Sequence, residues 1–509
     1  MRKYIPYHRV GKLLLLTNFV AAVSYFSWWF DPSRANNYWL YYLLFVGEIY
    51  HIFMAFTFWF TIWPEDVVIE DKRHYYFYPK VDVFITVAGE PVEIVRKTVV
   101  AAKNMNYLYK KIYILNDGLV AKKDNWKDIE RLAKKLGVNC ITREIPGGAK
   151  AGNINNALRQ TNSEMVLIFD ADMVPNRNFL TKTIPYFVDP NVGFVQTPQY
   201  YENFGENAIT SGAWDQQKFF FGPIMRGKDK SNAAFVCGTN VVLRRTALEG
   251  VGGMVENNIA EDFLTSLFIH QQGWVSHYYP GVLAKGLAPL DLLSYYKQQF
   301  RWARGSLQVL LGDNPLLKKG LTWGQKIQYL SSTLYYFNGL IVLIDISMPL
   351  LYLYFGIQPV AVSTASFAVY FLPFMLLNLY TLNLASAADI SFKTFSFSYS
   401  SWYLQLTALI SVLTGKKVGF SITPKQAQGG NFIGLAIPHI TYIVLAFLGT
   451  IVAIDRERFN PSVATNLAWV LFNSALFMPY ILAAINFKPI FSKAEEVITE
   501  VTLAEVKES

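Results

Sequence analysis

Asp170 and Asp172 stand two residues apart, directly after the apolar run Val166-Leu167-Ile168-Phe169, and Asp117 follows the run 112–115 through Asn116. A lone carboxylate at a strand end is commonly a turn or cap residue. Two carboxylates two residues apart suit a hard divalent cation that keeps oxygen ligands and bridges phosphates, and acids at two adjacent strand ends favour a functional role for both. Ala260-Glu261-Asp262 precedes a helical pattern over 263–272, and first-turn acids complement the positive end of a helix. Gln298-Gln299-Phe300-Arg301-Trp302 lies in a basic, aromatic helical stretch, where Arg beside Trp reads as an interfacial anchor. Gly147-Gly148-Ala149-Lys150 opens a further helix, a place for an anion, although no glycine-lysine-serine phosphate loop occurs. Two cysteines, Cys140 and Cys237, are too few for a disulfide scaffold or a zinc site. The chemistry must therefore come from carboxylates and bases.

The segments that carry these residues alternate in period. Strand patterns at 81–87, 112–115, 139–142 and 165–169 are separated by helical patterns at 91–104, 124–136 and 149–159. This βαβα order predicts a mostly parallel sheet with helices on both faces. Ligands of such sheets bind outside the carboxyl ends of the strands, which is where the acids lie.

The remainder of the chain is apolar. Of 509 residues, 52% are hydrophobic and 16% charged, against ~25% charged in soluble domains. With a mean hydropathy of +0.22, neither a wholly soluble globule nor a disordered chain fits. The net charge of +9 lies in short patches rather than in the single stripe of a nucleic-acid binder. Patches beside apolar runs suit anionic lipid and anionic substrates. Six stretches, 13–30, 39–63, 329–355, 361–388, 432–454 and 464–487, approach the ~20 apolar residues that cross a bilayer. The basic N-terminus puts both chain ends and residues 64–328 in the cytoplasm. Lys416, Lys417 and Lys425 after the apolar stretch 399–413 make that stretch an amphipathic helix on the membrane rather than a span. Glu48, His51, Asp345, Asn378, Asn383 and Asp389 fall within or beside the spans, facing a polar path or gluing helices together. The expected divisions are 1–66, two spans; 67–286, the cytosolic α/β domain; 287–328, interface helices; 329–487, four spans; and 488–509, a tail.

In this order the motifs resemble those of the membrane-integrated family 2 glycosyltransferases, in the cellulose synthase branch. The family pattern D, D-x-D, T-E-D, Q-x-x-R-W reads here as Asp117, Asp170/Asp172, Ala260-Glu261-Asp262 and Gln298 through Trp302. Ala149-Lys150-Ala151-Gly152-Asn153, Val195-Gln196-Thr197-Pro198 and Cys237-Gly238 reinforce the resemblance, which covers about 10–487. Phe420-Ser421-Ile422-Thr423-Pro424-Lys425 looks like the family's gating loop. Three departures stand out: Ala260 for Thr, Gly89 for Asn ahead of Glu90, and Met173 where the family often has His. The last removes an imidazole metal ligand. No cyclic-di-GMP domain is expected after the last span.

The resemblance implies a cytosolic GT-A (Rossmann-like) domain inserted in a six-helix transmembrane bundle with amphipathic interface helices. It implies a processive, inverting transferase in a bacterial plasma membrane, building a β-glucan from UDP-glucose and secreting it through its own channel. Glu90, Asp117, Lys150, Asp170, Arg301, Thr423 and Lys425 would bind the donor. Asp172, with Asp170, would hold Mg²⁺ or Mn²⁺. Asp262, with Glu261 beside it, would be the general base. Trp302, Gln298 and Cys237 would meet the acceptor. The nascent polysaccharide and the lipid bilayer would be partners, and accessory proteins are unspecified. A capsule-type glucan synthase fits the short single chain. UDP-GlcNAc-using hyaluronan- or chitin-type synthases and non-processive transferases acting on a lipid carrier share parts of the pattern. A transporter with a nucleotide-sensing domain would not need the full set of acid, base and metal residues.

Overall fold

In the computed structural model of the chain, which describes residues 10–64, 77–386, 392–416, 428 and 430–485, strand β1 (Val81–Val87) is buried along its whole length. That is why its sequence runs β-branched and apolar on both faces. β1 pairs in parallel with β2 (Lys110–Asn116), which pairs with β3 (Asn139–Thr142), and on its other side with β4 (Met165–Asp170). β5 (Val174–Pro175), β7 (Tyr200–Tyr201) and β10 (Ala284–Gly286) form a small second sheet in the order β5-β10-β7. The main sheet continues through β6 (Val192–Gln196), β8 (Val241–Arg244) and β9 (Val275–Tyr278), in the order β3-β2-β1-β4-β8-β6-β9. The expected parallel pairing holds except at β8, which runs antiparallel to both β4 and β6.

Helices cover both faces. Val81, Val83, Ile85 and Val87 pack with Val95 and Val99 of the Val92–Lys103 helix and with Ile129 of Trp126–Leu136. Phe84, Val166 and Ile168 face Ile154 and Ala157 of Ala149–Leu158 on the other side. The α/β segments lie close to their expected bounds; the helix expected at 91–104 is Val92–Lys103, and β4 extends one residue further, to Asp170.

Five helices among the described residues are long and apolar enough to cross a membrane: Tyr38–Thr61, Trp323–Phe355, Thr364–Ala385, Ile437–Glu457 and Pro461–Ile485. The first expected span forms a helix, Lys12–Trp29, but is not among the five. Lys12, Thr17, Asn18, Ser24 and Ser27 dilute its apolar character. It lies against Thr364–Ala385 through the bond that Asn18 Nδ2 donates to Thr381 Oγ1 at 2.8 Å. Trp323–Phe355 joins two α-helices, Trp323–Leu334 and Asn338–Phe355, through a 3-10 turn at Tyr335–Phe337; the first meets the α/β domain, where Gln325 Nε2 donates to the Asn232 carbonyl at 2.7 Å.

The two parts are joined tightly. A Cβ on Gly227 would lie 2.1 Å from the Thr61 carbonyl oxygen, so only glycine lets the backbones meet there. The buried Lys228 ammonium donates to the Gln328 carbonyl at 2.6 Å and to its Oε1 at 3.0 Å.

The stretch expected as one amphipathic helix over 399–413 belongs to two helices, Phe392–Ser400 and Trp402–Leu413. The second packs Leu404, Ala408 and Leu409 against Ala303 and Leu307 of the Leu292–Gly312 helix. Within the bundle, Tyr25 donates to Glu48 Oε1 at 2.9 Å, and His51 Nε2 lies 3.3 Å from Asp345 Oδ2. Asn378 bonds the Phe374 carbonyl of its own helix, and Asp389 lies outside the described residues.

Candidate active site

The register of β1 sets the site. Val87 lies opposite Asn116 and Thr86 opposite Asp170, so Asp117 and Asp170 flank the end of one strand.

Asp117 does not stand open. Arg143, just after β3, donates from Nε to Oδ1 at 2.8 Å and from Nη2 to Oδ2 at 2.6 Å, and both side chains are 8% exposed. Burial pushes the Asp117 carboxyl up, and Arg143 opposes that shift. The same guanidinium bonds the carbonyls of Gly147 and Ala149. The glycine-rich turn is therefore closed around a cation, and a Cβ on Gly148 would strike the Glu256 side chain. The carbonyls of the turn thus face this chain's own Arg143, and Glu256 packs against Gly148.

The turn launches Lys150 toward Asp170. Its ammonium bonds Asp170 Oδ1 and donates to the Gly238 carbonyl at 2.8 Å. Burial disfavours its charge, but the carboxylates of Asp170, Glu261 and Asp262 outweigh burial and raise its pKa. The Asp170 backbone N–H donates to Thr239 Oγ1 at 2.8 Å, which ties β4 to the Gly238 turn.

Gly238 has a φ of +78°, a conformation glycine adopts without strain. A Cβ there would lie 3.0 Å from Asp262 Oδ2 and 3.5 Å from Lys150 Nζ, so Lys150 and Asp262 converge on one bare backbone position. The turn is held by the Cys237 N–H, which donates to Gln196 Oε1 at 2.9 Å, and by Gln199, which bonds the Cys237 carbonyl. Burial and the nearby Asp262 charge push the Cys237 thiol well up, so it is not a thiolate nucleophile.

Glu261 and Asp262 occupy the first turn of the Glu261–Gln271 helix, which starts two residues before the expected position. Asp262 Oδ1 accepts from the Phe263 N–H at 2.8 Å. Burial raises both carboxyls; Asp262 raises Glu261 further, and Lys150 and Arg301 pull both back. Four ionisable groups from three separate segments of the chain thus share one electrostatic centre.

Arg301 reaches that centre because its helix presses on Ala260. A Cβ on Gly305 would stand 2.7 Å from both the Ala260 nitrogen and its Cβ. Arg301 lies four residues earlier, on the same helix face. Trp302 is half-buried, and the buried Gln298 Oε1 has no hydrogen-bond partner among the described residues.

Asp172 is buried, with Oδ2 accepting from the Leu287 N–H at 3.0 Å. Among the described residues, no three His, Cys, Asp or Glu side chains gather to hold a metal. Glu90 folds back so that Oε2 accepts from the Ala88 N–H at 2.6 Å. Thr423 and Lys425 lie outside the described residues. Motif reading did not find Arg143, Thr239 or Gly305. The signal for Arg143 was a lone Arg directly after a short strand; Gly305, three residues past Trp302, carried none.

Residues 79–305 match the family model described as glycosyltransferase like family 2, and residues 250–485 match the cellulose synthase model. The chain is 32% identical over 488 residues to the cellulose synthase catalytic subunit of Pseudomonas fluorescens (strain SBW25), covering 90% of this chain and 64% of that one. It is 31% identical over 471 residues to cellulose synthase 1 of Komagataeibacter xylinus, covering 87% of this chain and 29% of that one. The chain therefore spans less than two thirds of the length of these relatives. Mannosyltransferase PcManGT from Pyrobaculum calidifontis, solved with GDP-Man and Mn²⁺, aligns with a TM-score of 0.51 at 16% identity, over 79% of this chain and 100% of that one. That likeness shows a shared GT-A-like fold. With both family models matched and about 31% identity over most of its length, this chain belongs to the cellulose synthase-type family 2 glycosyltransferases.

Proposed function

We propose that this protein transfers glucose from UDP-glucose to a growing β-glucan and passes the polymer through its own membrane helices, as a multi-pass protein of the bacterial plasma membrane with its α/β domain in the cytoplasm. The observation that supports this best is the convergence of Lys150 and Asp262 on Gly238, with Arg301 brought in by the Gly305–Ala260 contact. Relatives that are cellulose synthases, three of them labelled UDP-forming, support the donor and the polymer.

The donor diphosphate lies beside Lys150 and Arg301, whose guanidinium suits bidentate phosphate contact. Asp262 removes the proton from the acceptor hydroxyl as that oxygen attacks the anomeric carbon. A carboxyl raised by burial is a stronger base than a solvated one. Single displacement inverts the donor's α-linkage to β. The orphaned Gln298 Oε1 takes a sugar hydroxyl, and Trp302 offers a ring to the apolar C–H face of the terminal sugar. Asp172 and Asp170 offer hard carboxylate oxygens, which fits Mg²⁺ or Mn²⁺; they would hold such an ion, and it would supply positive charge for the leaving diphosphate.

Purified protein in lipid nanodiscs, given radiolabelled UDP-glucose or UDP-GlcNAc, tests the donor. The expected product is a long glucose polymer whose glycosidic bonds linkage analysis scores as β. Polymer from UDP-GlcNAc alone would move the enzyme to the hyaluronan or chitin type. Short lipid-linked products would make it non-processive.

A pH profile tests the base. Lys150 favours the ionised form of Asp262, so without it the carboxyl keeps its proton to higher pH. Lys150→Met is expected to lower turnover by ~10²-fold and to move the acid limb of kcat/KM to higher pH. An acid limb that stays in place would detach Lys150 from the base.

A further inference from the structure

The geometry points to Arg143 as a positioning residue that holds the base-recognising carboxylate and the Lys150 turn in one frame, and so sets nucleobase selectivity. This rests on the reading of the site as one for a uridine diphosphate donor, with Asp117 at its base end.

Arg143 is placed from both sides. Its backbone N–H donates to the Asn116 carbonyl at 3.1 Å, so the residue is locked to the end of β2, next to Asp117. Its guanidinium then uses four N–H groups. Two grip the Asp117 oxygens, one bonds the Gly147 carbonyl, and one reaches the Ala149 carbonyl at 3.1 Å. The turn it grips is unusual: Gly147, Gly148 and Ala149 have φ of +142°, +62° and +44°. Ala149 is not glycine, so this conformation costs energy unless the surroundings impose it. Gly152 leaves room for the grip, since a Cβ there would stand 2.5 Å from Arg143 Nη1 and 2.2 Å from the Gly147 oxygen. Lys150 is the next residue along. Any movement of the guanidinium is therefore transmitted to Asp117 on one side and to the ammonium that meets Asp170 on the other.

The chemistry of the pair has a further consequence. A carboxylate clasped by two guanidinium N–H groups is an acceptor only, and each oxygen keeps a lone pair. It matches a pyrimidine that presents a ring N–H, as uracil does. Cytosine presents a bare ring nitrogen at the same place and leaves both acceptors unmatched, a mismatch that buried polar groups punish heavily. Lysine at 143 would keep the charge but lose the fork.

Calorimetric titration of the full-length protein in nanodiscs with UDP and with CDP tests this, using Arg143→Lys and Arg143→Met beside the unaltered chain. The expected result is UDP binding weakened about tenfold, the loss of a charge-assisted hydrogen bond, with the preference for UDP over CDP reduced to a similar degree. In the Lys variant kcat should fall as well as the affinity for donor, because Lys150 is no longer held. If Arg143→Met does not fold, Arg143→Lys carries the test. A folded variant with a lowered Tm and an unchanged UDP-to-CDP ratio would overturn the inference and leave a merely structural ion pair. Unaltered protein that binds neither nucleotide, or both alike, would overturn the donor reading itself, and this inference with it.

Discussion

Asp262→Asn should lower sugar transfer by ~10²–10⁴-fold, the share a positioned general base contributes, with UDP binding unchanged within about twofold. The amide has the carboxylate's shape, and its oxygen can still accept from the Phe263 N–H as Asp262 Oδ1 does. The first turn of the Glu261–Gln271 helix is thus preserved, while the ability to take a proton and the negative charge are lost. Lys150 and Arg301 both act on this carboxyl, so removing its charge also leaves two cations less compensated. This should hold or tighten the diphosphate rather than release it. Polymer yield from UDP-glucose and UDP titration on the same preparation give the two numbers. A variant that still makes polymer at a tenth or more of the original rate would pass the role of base to another group, with Glu261 the neighbour to examine first.

Gly305→Val should be nearly as damaging, although the residue touches no reacting group. The valine Cβ would stand 2.7 Å from the backbone nitrogen and side chain of Ala260, closer than carbon atoms pack. The helix must then withdraw from the start of the Glu261–Gln271 helix and take Arg301 and Trp302 with it. Overpacking of this kind costs ~1–3 kcal/mol in stability. A misplacement of about 1 Å near the chemistry can cost ~10²-fold in rate. Gly312→Ala, in the same helix with nothing within 4 Å of its Cβ, is the control and should leave rate and stability close to their original values. Equal loss from both substitutions would mean that the helix tolerates replacement of its glycines poorly wherever they stand. Loss confined to position 305 would tie activity to this one approach. The family's Thr is Ala260 here, and the smaller side chain suits a helix that lies so near.

The α/β segments were readable because the signals are local. A β-branched run of seven residues with a buried face on either side reads as β1, and Asn116-Asp117 and Asp170-Ala171-Asp172 advertise strand ends by their abrupt change of polarity. The antiparallel β8 was not readable, since nothing in Val241–Arg244 distinguishes a strand's direction. The first apolar stretch reads as a span on hydrophobicity, yet Lys12 and four further polar residues keep its helix outside the five that meet the requirement among the described residues.

The ordered acids, the Q-x-x-R-W stretch and the apolar helices that accompany them were all present in the linear chain, because each rests on residue type and on neighbours a few positions away. Which groups face one another was not. Asp117 finds Arg143 across 26 residues, and Lys150 finds Gly238 across 88. Such pairings depend on strand order and on where a glycine lets two backbones touch. They are settled only when the whole sheet closes and long-range packing compensates for burying charge.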